Sequence, residues 1–152
     1  PPLGSLEVEV IREADAFPSW TSPEKLTRFL HLTMKPWEDR EADILRALSY
    51  CFSKADGRGG FIVLAGLLGR LVGAVVVLDT GMGGYVPEHL LLFASVDPEV
   101  RGRGLGRRLI EQALAACPGE VKLHVEYDNP ARRLYERIGF RSKYAEMRYD
   151  SR

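Results

Sequence analysis

The 152-residue chain predicts a mixed α/β (α+β) fold, one domain with helices covering a central sheet. Three observations carry that expectation. Runs that alternate apolar and polar residues interleave with runs at helical spacing. One apolar run, Leu90 to Val96, passes through a glycine-rich turn straight into a helical pattern. No internal repeat and no linker divides the chain, so residues 6–152 are read as a single domain. The opening PPLGS reads as the scar of a cleaved expression tag, and residues 1–5 are set outside the fold.

From Leu6 to Arg12 the residues alternate, with Leu6, Val8 and Val10 on one side and Glu7 and Glu9 on the other, as a half-buried strand requires. Ser22 and Pro23 then mark a helix start, N-cap and first helical position, continuing through Leu26, Phe29 and Leu30. A second helix is expected after Pro36, with Trp37, Ile44, Leu45 and Leu48 as its apolar stripe. Strands follow at Phe61–Ala65 and Leu71–Leu78, joined as a hairpin by a turn around Gly69 and Arg70. A glycine-rich loop at 79–87 leads into the strand from Leu90. A helix from about Leu105 to Ala116 ends at Pro118-Gly119, and Val121–Val125 alternates as another strand. Asp128-Asn129-Pro130 opens a short helix that stops at Gly139, and Phe140–Tyr149 supplies one or two last strands.

Composition narrows the partners. Lysine plus arginine equals aspartate plus glutamate at 21 each, so the molecule carries no overall charge to hold nucleic acid, and any basic site is local. Cys51 and Cys117 are far apart and form no CxxC, which points to free thiols rather than a disulfide framework or a zinc site. No apolar run reaches the roughly 18 residues that span a bilayer and no signal-peptide core is present, so the expected location is cytoplasmic, with no membrane partner.

The turn after the Leu90 strand reads Arg101-Gly-Arg-Gly-Leu-Gly106. Gly102, Gly104 and Gly106 let the main chain approach a ligand closely, and the first N–H groups of the following helix have no intrahelical acceptors. Those donors, the helix dipole and Arg101, Arg103, Arg107 and Arg108 favour an anion. The plainer alternative is a tight turn with solvated arginines. GxGxG spacing departs from the GxGxxG of a dinucleotide site, although Glu126 stands about where a ribose-binding acid would. No Gly-Lys-Ser/Thr follows for a P-loop, no GxSxG is present, and His31, His89 and His124 have no recognisable catalytic partners in sequence.

Arg101 to Gly106, after a strand ending Val96-Asp-Pro98, resembles the Q/R-x-x-G-x-G/A signature of the GNAT superfamily of N-acetyltransferases. Asn129-Pro-Ala131 with Leu134-Tyr135-Glu-Arg-Ile-Gly-Phe140 is similar to that family's downstream segment. Together the two segments span about a third of the chain. The resemblance implies a mixed central sheet of six to seven strands flanked by about four helices. It also implies that acetyl-CoA, as acetyl donor and with no metal, lies in a splayed gap between the fourth and fifth strands. By position, the backbone amides of Gly102, Gly104, Leu105 and Gly106, with Arg101 and Arg107 side chains, would hold the pyrophosphate. The main chain of Ala94 and Val96 would pair with the pantetheine arm as an added strand.

Attack by an amine on a thioester needs a neutral amine, a polarised carbonyl and a proton for the departing thiolate. A primary alkylamine has a pKa of about 10.4, so a base is useful at neutral pH. Glu88 is the candidate, at the head of the fourth strand where some family members carry a glutamate; an exposed glutamate after Pro87 is the alternative. His89 should point to the opposite face. Tyr135 is implied as the group that protonates the leaving thiolate, against a purely packing role with Ala131, Leu134 and Ile138. Asn129 is both an N-cap candidate and an implied coenzyme contact. The family's fourth strand carries a bulge that frees an N–H for the carbonyl oxygen, expected near Phe93 or Ala94.

The acceptor, a small-molecule or peptide amine, is expected against the first two helices and the 79–87 loop. Glu38, Asp39, Glu41 and Asp43 make a local acidic patch, and Trp20, Trp37, Tyr50 and Tyr85 could form an aromatic wall. Two functions follow: an N-acetyltransferase working by direct attack in a ternary complex, or a CoA-binding regulatory module without efficient catalysis. A homodimer is a family-level expectation.

Overall fold

The computed structural model describes residues 3–152. Pro1 and Pro2 lie outside the described residues. Leu3–Ser5, set outside the fold on sequence grounds, form a 3-10 turn, and Leu3 packs against a core cluster. The strands are β1 (Leu6–Ile11), β2 (Gly60–Leu67), β3 (Arg70–Asp79), β4 (His89–Val96) and β5 (Val121–Lys122). The helices are α1 (Pro23–Thr33), α2 (Glu41–Cys51), α3 (Leu105–Ala115) and α4 (Ala131–Ile138). The sheet runs β1-β2-β3-β4-β5, antiparallel except for the last pair, β4 with β5.

β2 shows why the sheet sits at the centre. Phe61, Val63, Ala65 and Leu67 face the cluster that α3 completes with Leu105, Leu109, Ile110 and Ala113. The alternate residues, Ile62 and Leu64, face the cluster completed by Leu26 and Leu30 of α1 and Ile44, Leu48 and Cys51 of α2. A strand covered on both faces has no polar side to show, hence its unbroken apolar run. The α2 stripe differs from expectation, because Cys51 replaces Leu45, which is 41% exposed. Trp37 also precedes the helix, within a loop at 34–40.

Local signals set several boundaries. The Ser22 hydroxyl accepts the Lys25 N–H at 3.1 Å, with Pro23 at the first helical position. The β2–β3 hairpin turns on Leu68 and Gly69, with φ of 52° and 73° between the paired Leu67 and Arg70. Positive φ at both central residues is the type I′ geometry that matches strand twist. Leu68 is 74% exposed, so it bears the left-handed backbone with little burial in return. Leu68→Asn is therefore expected to stabilise the fold by about 0.5–1 kcal/mol, read as a raised midpoint of thermal unfolding, whereas a lowered midpoint would assign Leu68 a packing role.

Two expectations about the far edge are corrected. The Val121–Val125 strand is shortened to Val121–Lys122, and Phe140–Tyr149 forms no strand, so the sheet has five strands rather than six to seven. Phe140 packs against the core, but residues 141–150 are exposed, with the charges of Arg148 and Glu146 and of Arg152 and Asp150 paired locally. Alternation alone leaves such a segment without an apolar face to bury.

Candidate active site

The β4–β5 ladder holds only at His89 with Val121 and Leu90 with Lys122. Beyond those pairs the strands separate, and a cleft of about 510 Å³ opens between them. Its walls are the second half of β4, the Arg101–Arg107 turn, residues 123–126, the start of α4 and the loop after α1. Among the described residues, no group of three or more His, Cys, Asp and Glu side chains is placed to hold a metal, and no helix is long and apolar enough to cross a membrane.

β4 aims its main chain at the gap. The Asp97 N–H donates to Val72 O on β3 at 2.8 Å, so by alternation Val96 and Ala94 turn their own groups the other way, toward the cleft. In the β3–β4 register Val76 pairs with Phe93 and Val77 with Leu91, which leaves Leu92 as an extra residue on β4. The bulge expected near Phe93 or Ala94 is therefore at Leu92, and Leu92 lines the cleft.

Gly102 and Gly104, at φ 79° and 80°, carry the chain from β4 into α3, and a Cβ at either would meet only open space. Gly104 is the N-cap of α3, whose first turn contains no acidic residue. The N–H groups of Leu105, Gly106 and Arg107 thus face the cleft end without intrahelical acceptors, an anion-binding arrangement. Arg107 also pairs with Glu111 at 3.1 Å. Arg101 is committed elsewhere: Nε donates to Val96 O at 2.8 Å and Nη2 to Thr33 O at 2.7 Å.

Tyr135 lines the cleft from α4, its ring edge-on to Phe140 at 5.9 Å. Burial raises its phenol pKa above the ordinary value of 10.0, so the hydroxyl remains a proton donor through the neutral range. Asn129 lines the same cleft, and its Oδ1 accepts the Ala131 N–H at 2.9 Å; the N-cap position of α4 is Pro130 rather than the Asn129 expected from sequence.

Glu88 does not join this group. It lies beyond the paired end of β4 and β5, opposite to where the strands part. Its Oε2 accepts the Glu120 N–H at 2.7 Å, and a Cβ at Gly119 would fall 2.6 Å from the same oxygen. That Glu120 N–H, with the residue's own backbone N–H adding to it, holds the Glu88 carboxyl below the usual carboxylate range. His89 is buried beside it, Nδ1 3.1 Å from Asp79 Oδ1 and Nε2 donating to Pro118 O at 2.9 Å.

The carboxylates and imidazoles that do line the cleft are Asp39, His124 and Glu126. Leu123 packs against the α3 core and also borders the cleft, and His124 next to it is exposed. His124 was legible as the polar partner in the alternation Val121-Lys-Leu-His-Val-Glu126, yet nothing in sequence tied it to a cavity. Of the aromatic residues considered for an acceptor wall, Trp37 lines the cleft, and its indole N–H donates to Asp128 Oδ1 at 3.1 Å across the mouth. Trp20 packs instead against Gly66, where a Cβ would lie 2.7 Å from the ring. The Tyr50 hydroxyl meets Gly57 O and Asp79 O, and Tyr85 is 81% exposed. Of the acidic patch, Asp39 reaches the cleft, while Asp43 pairs with Arg40 at 3.1 Å.

The same architecture recurs among solved structures. An aminoglycoside N-acetyltransferase, AAC(6')-Iy in complex with CoA, superposes with a TM-score of 0.68 at 16% identity, covering 97% of this chain and 95% of that one. An aminoglycoside acetyltransferase from an uncultured soil metagenomic sample gives 0.64 at 19%, covering 97% and 99%. A protein described as a transcriptional regulator from Bacillus halodurans C-125 gives 0.64 at 17%, covering 95% and 99%, so the shared fold carries more than one description. Sequence decides the family where fold likeness does not: residues 17–140, from before α1 through the glycine turn to the end of the Tyr135 segment, match the Acetyltransferase (GNAT) family model, and the chain belongs to that family.

Proposed function

We propose that this protein transfers an acetyl group from acetyl-CoA to an amine by direct attack within the cleft. The observation that carries the reading is convergence: the glycine turn, the outward-facing main chain of β4, the Leu92 bulge and Tyr135 all border one cavity. Its open space above Gly102 and Gly104 and its acid-free helix start suit a pyrophosphate. In this reading the N–H groups of Gly102, Gly104, Leu105 and Gly106 hold that group, with Arg107 adding charge. The main chain of Ala94 and Val96 takes the pantetheine amides, and Asn129 borders the same arm. Acetyl-CoA supplies the activated thioester.

The chain's own residues then handle the protons. A main-chain donor at the Leu92 bulge polarises the acetyl carbonyl, an arrangement typically worth about 3 kcal/mol of barrier. As the new C–N bond forms and the C–S bond breaks, Tyr135 gives its hydroxyl proton to the sulfur, and a base takes the proton the amine sheds. We assign that base to His124 rather than Glu88. His124 and the bulged Leu92 line the same cleft, whereas the Glu88 carboxylate is occupied at the closed end. Imidazole is also the side chain best suited to exchange a proton near neutral pH. A covalent acetyl-cysteine route is disfavoured, because burial pushes the Cys51 thiol up to about 12 and Cys117 to about 11, leaving little thiolate.

Initial rates with acetyl-CoA and an amine panel, followed as free thiol, test this reading. Release of thiol dependent on both substrates, with intersecting double-reciprocal lines, is expected; parallel lines would indicate a covalent intermediate and overturn direct transfer. Glu88→Gln separates the two base candidates. It is expected to leave kcat/KM within about 3-fold, and a larger loss that recovers at high pH would return the role to Glu88.

A further inference from the structure

We propose that Arg101 is a positioning residue for the acceptor side of the cleft rather than the side-chain anchor of the coenzyme pyrophosphate. The inference rests on the acetyl-transfer reading above for what each side of the cleft binds, and on the hydrogen bonds for what Arg101 does.

Arg101 follows β4 and precedes the glycine turn, but its guanidinium reaches back and across. Nε donates to Val96 O, the last carbonyl of β4, and Nη2 to Thr33 O, the last carbonyl of α1. The final carbonyls of a helix have no intrahelical donors and carry the negative end of its dipole, so a guanidinium there satisfies an orphan acceptor and a partial charge at once. Thr33 is held a second time from the same strand, since the Ser95 hydroxyl donates to Thr33 Oγ1 at 2.8 Å while that hydroxyl donates to Phe29 O. Two adjacent contacts thus fasten the end of α1 to the end of β4.

The fastened point is where the loop at 34–40 begins, and that loop carries Trp37 and Asp39 into the cleft. Farther along, His31 Nδ1 donates to Asp39 O at 2.8 Å, and Trp37 reaches Asp128 across the mouth. Arg101 therefore sets the origin of the segment that borders the acceptor, while the backbone amides of the glycine turn remain available to an anion without it. A guanidinium has five N–H donors, and two are spent on protein carbonyls. This placement also gives Val96 O a fixed donor, so its share of pantetheine pairing falls to the Val96 N–H and to Ala94.

Arg101→Ala and Arg101→Lys, each in a Trp20→Phe background so that emission reports on Trp37, test the assignment. For Arg101→Ala the acetyl-CoA dissociation constant is expected to stay within about 3-fold, the acceptor KM to rise by about 10-fold or more with kcat less affected, and Trp37 emission to move toward that of exposed indole. Arg101→Lys, able to reach one carbonyl, should recover part of the KM and part of the emission shift. Ser95→Ala should move the acceptor KM in the same direction. The proposal is overturned if acetyl-CoA affinity falls about 10-fold with Trp37 emission unchanged, which is the signature of a phosphate ligand, or if both substrates weaken equally alongside a large fall in unfolding midpoint. Should the wild-type chain transfer acetyl to no amine, the functional reading fails, and the acetyl-CoA titration and Trp37 emission still decide the role of Arg101.

Discussion

Replacing Tyr135 with phenylalanine lowers kcat by about 100-fold and leaves the acetyl-CoA dissociation constant within about 2-fold of its starting value, on the proposed mechanism. A thiolate leaving without a proton is the costly alternative, and a positioned general acid typically contributes about 10²–10⁴ in rate. Burial keeps the Tyr135 phenol protonated across the working range, so its proton is in place when the C–S bond breaks. The substitution preserves the ring and its edge-on contact with Phe140, and removes the hydroxyl alone. Isothermal titration with acetyl-CoA beside single-turnover rates checks both halves. A loss of affinity as large as the loss of rate would make Tyr135 a packing residue instead.

For His124→Gln the expected fall in kcat/KM at neutral pH is also about 100-fold, and it shrinks as pH rises toward the amine's pKa near 10.4. The sign follows from the acceptor: each pH unit upward increases the free amine by about tenfold, until the protein no longer needs to remove the proton. A pH–rate profile of the variant against wild type reads this directly. A deficit that stays constant with pH would leave His124 a binding contact and reopen the identity of the base.

The parts of the molecule legible in sequence are those fixed by neighbouring residues. The Ser22 cap, the β2–β3 hairpin, the strand-to-helix turn from Leu90 to Gly106 and the Asn129–Phe140 segment all depend on spacing within a few residues, and each appears where its residues dictate. The site's remaining features depend on contacts between distant segments. Glu88 carries the right side chain at the head of β4, but the Glu120 N–H captures its carboxylate, and no local pattern announces that contact. The Leu92 bulge is a property of the β3–β4 register, and the sequence Leu90-Leu-Leu-Phe93 offers no polar residue to mark it. Spacing places Trp37 in the stripe of the second helix, whereas it lies in the loop before α2 with its indole N–H donating to Asp128 far along the chain. Arg101 belongs to a recognisable signature, yet its hydrogen bonds run to the carbonyls that end β4 and α1.

The family relationship establishes an acetyltransferase lineage, and the cleft's chemistry argues for a working member of it. The measurement that tests this most directly is intact mass analysis of a single turnover, with protein in excess of acetyl-CoA and an amine panel added last. Before the amine is added, bound acetyl-CoA and an unmodified protein mass are expected. Afterwards one acetylated amine and one free CoA thiol are expected for each acetyl-CoA consumed. Tight acetyl-CoA binding with no thiol released by any amine would contradict this expectation and favour a CoA-binding regulatory module, and an acetyl group appearing on the protein before amine addition would contradict direct transfer.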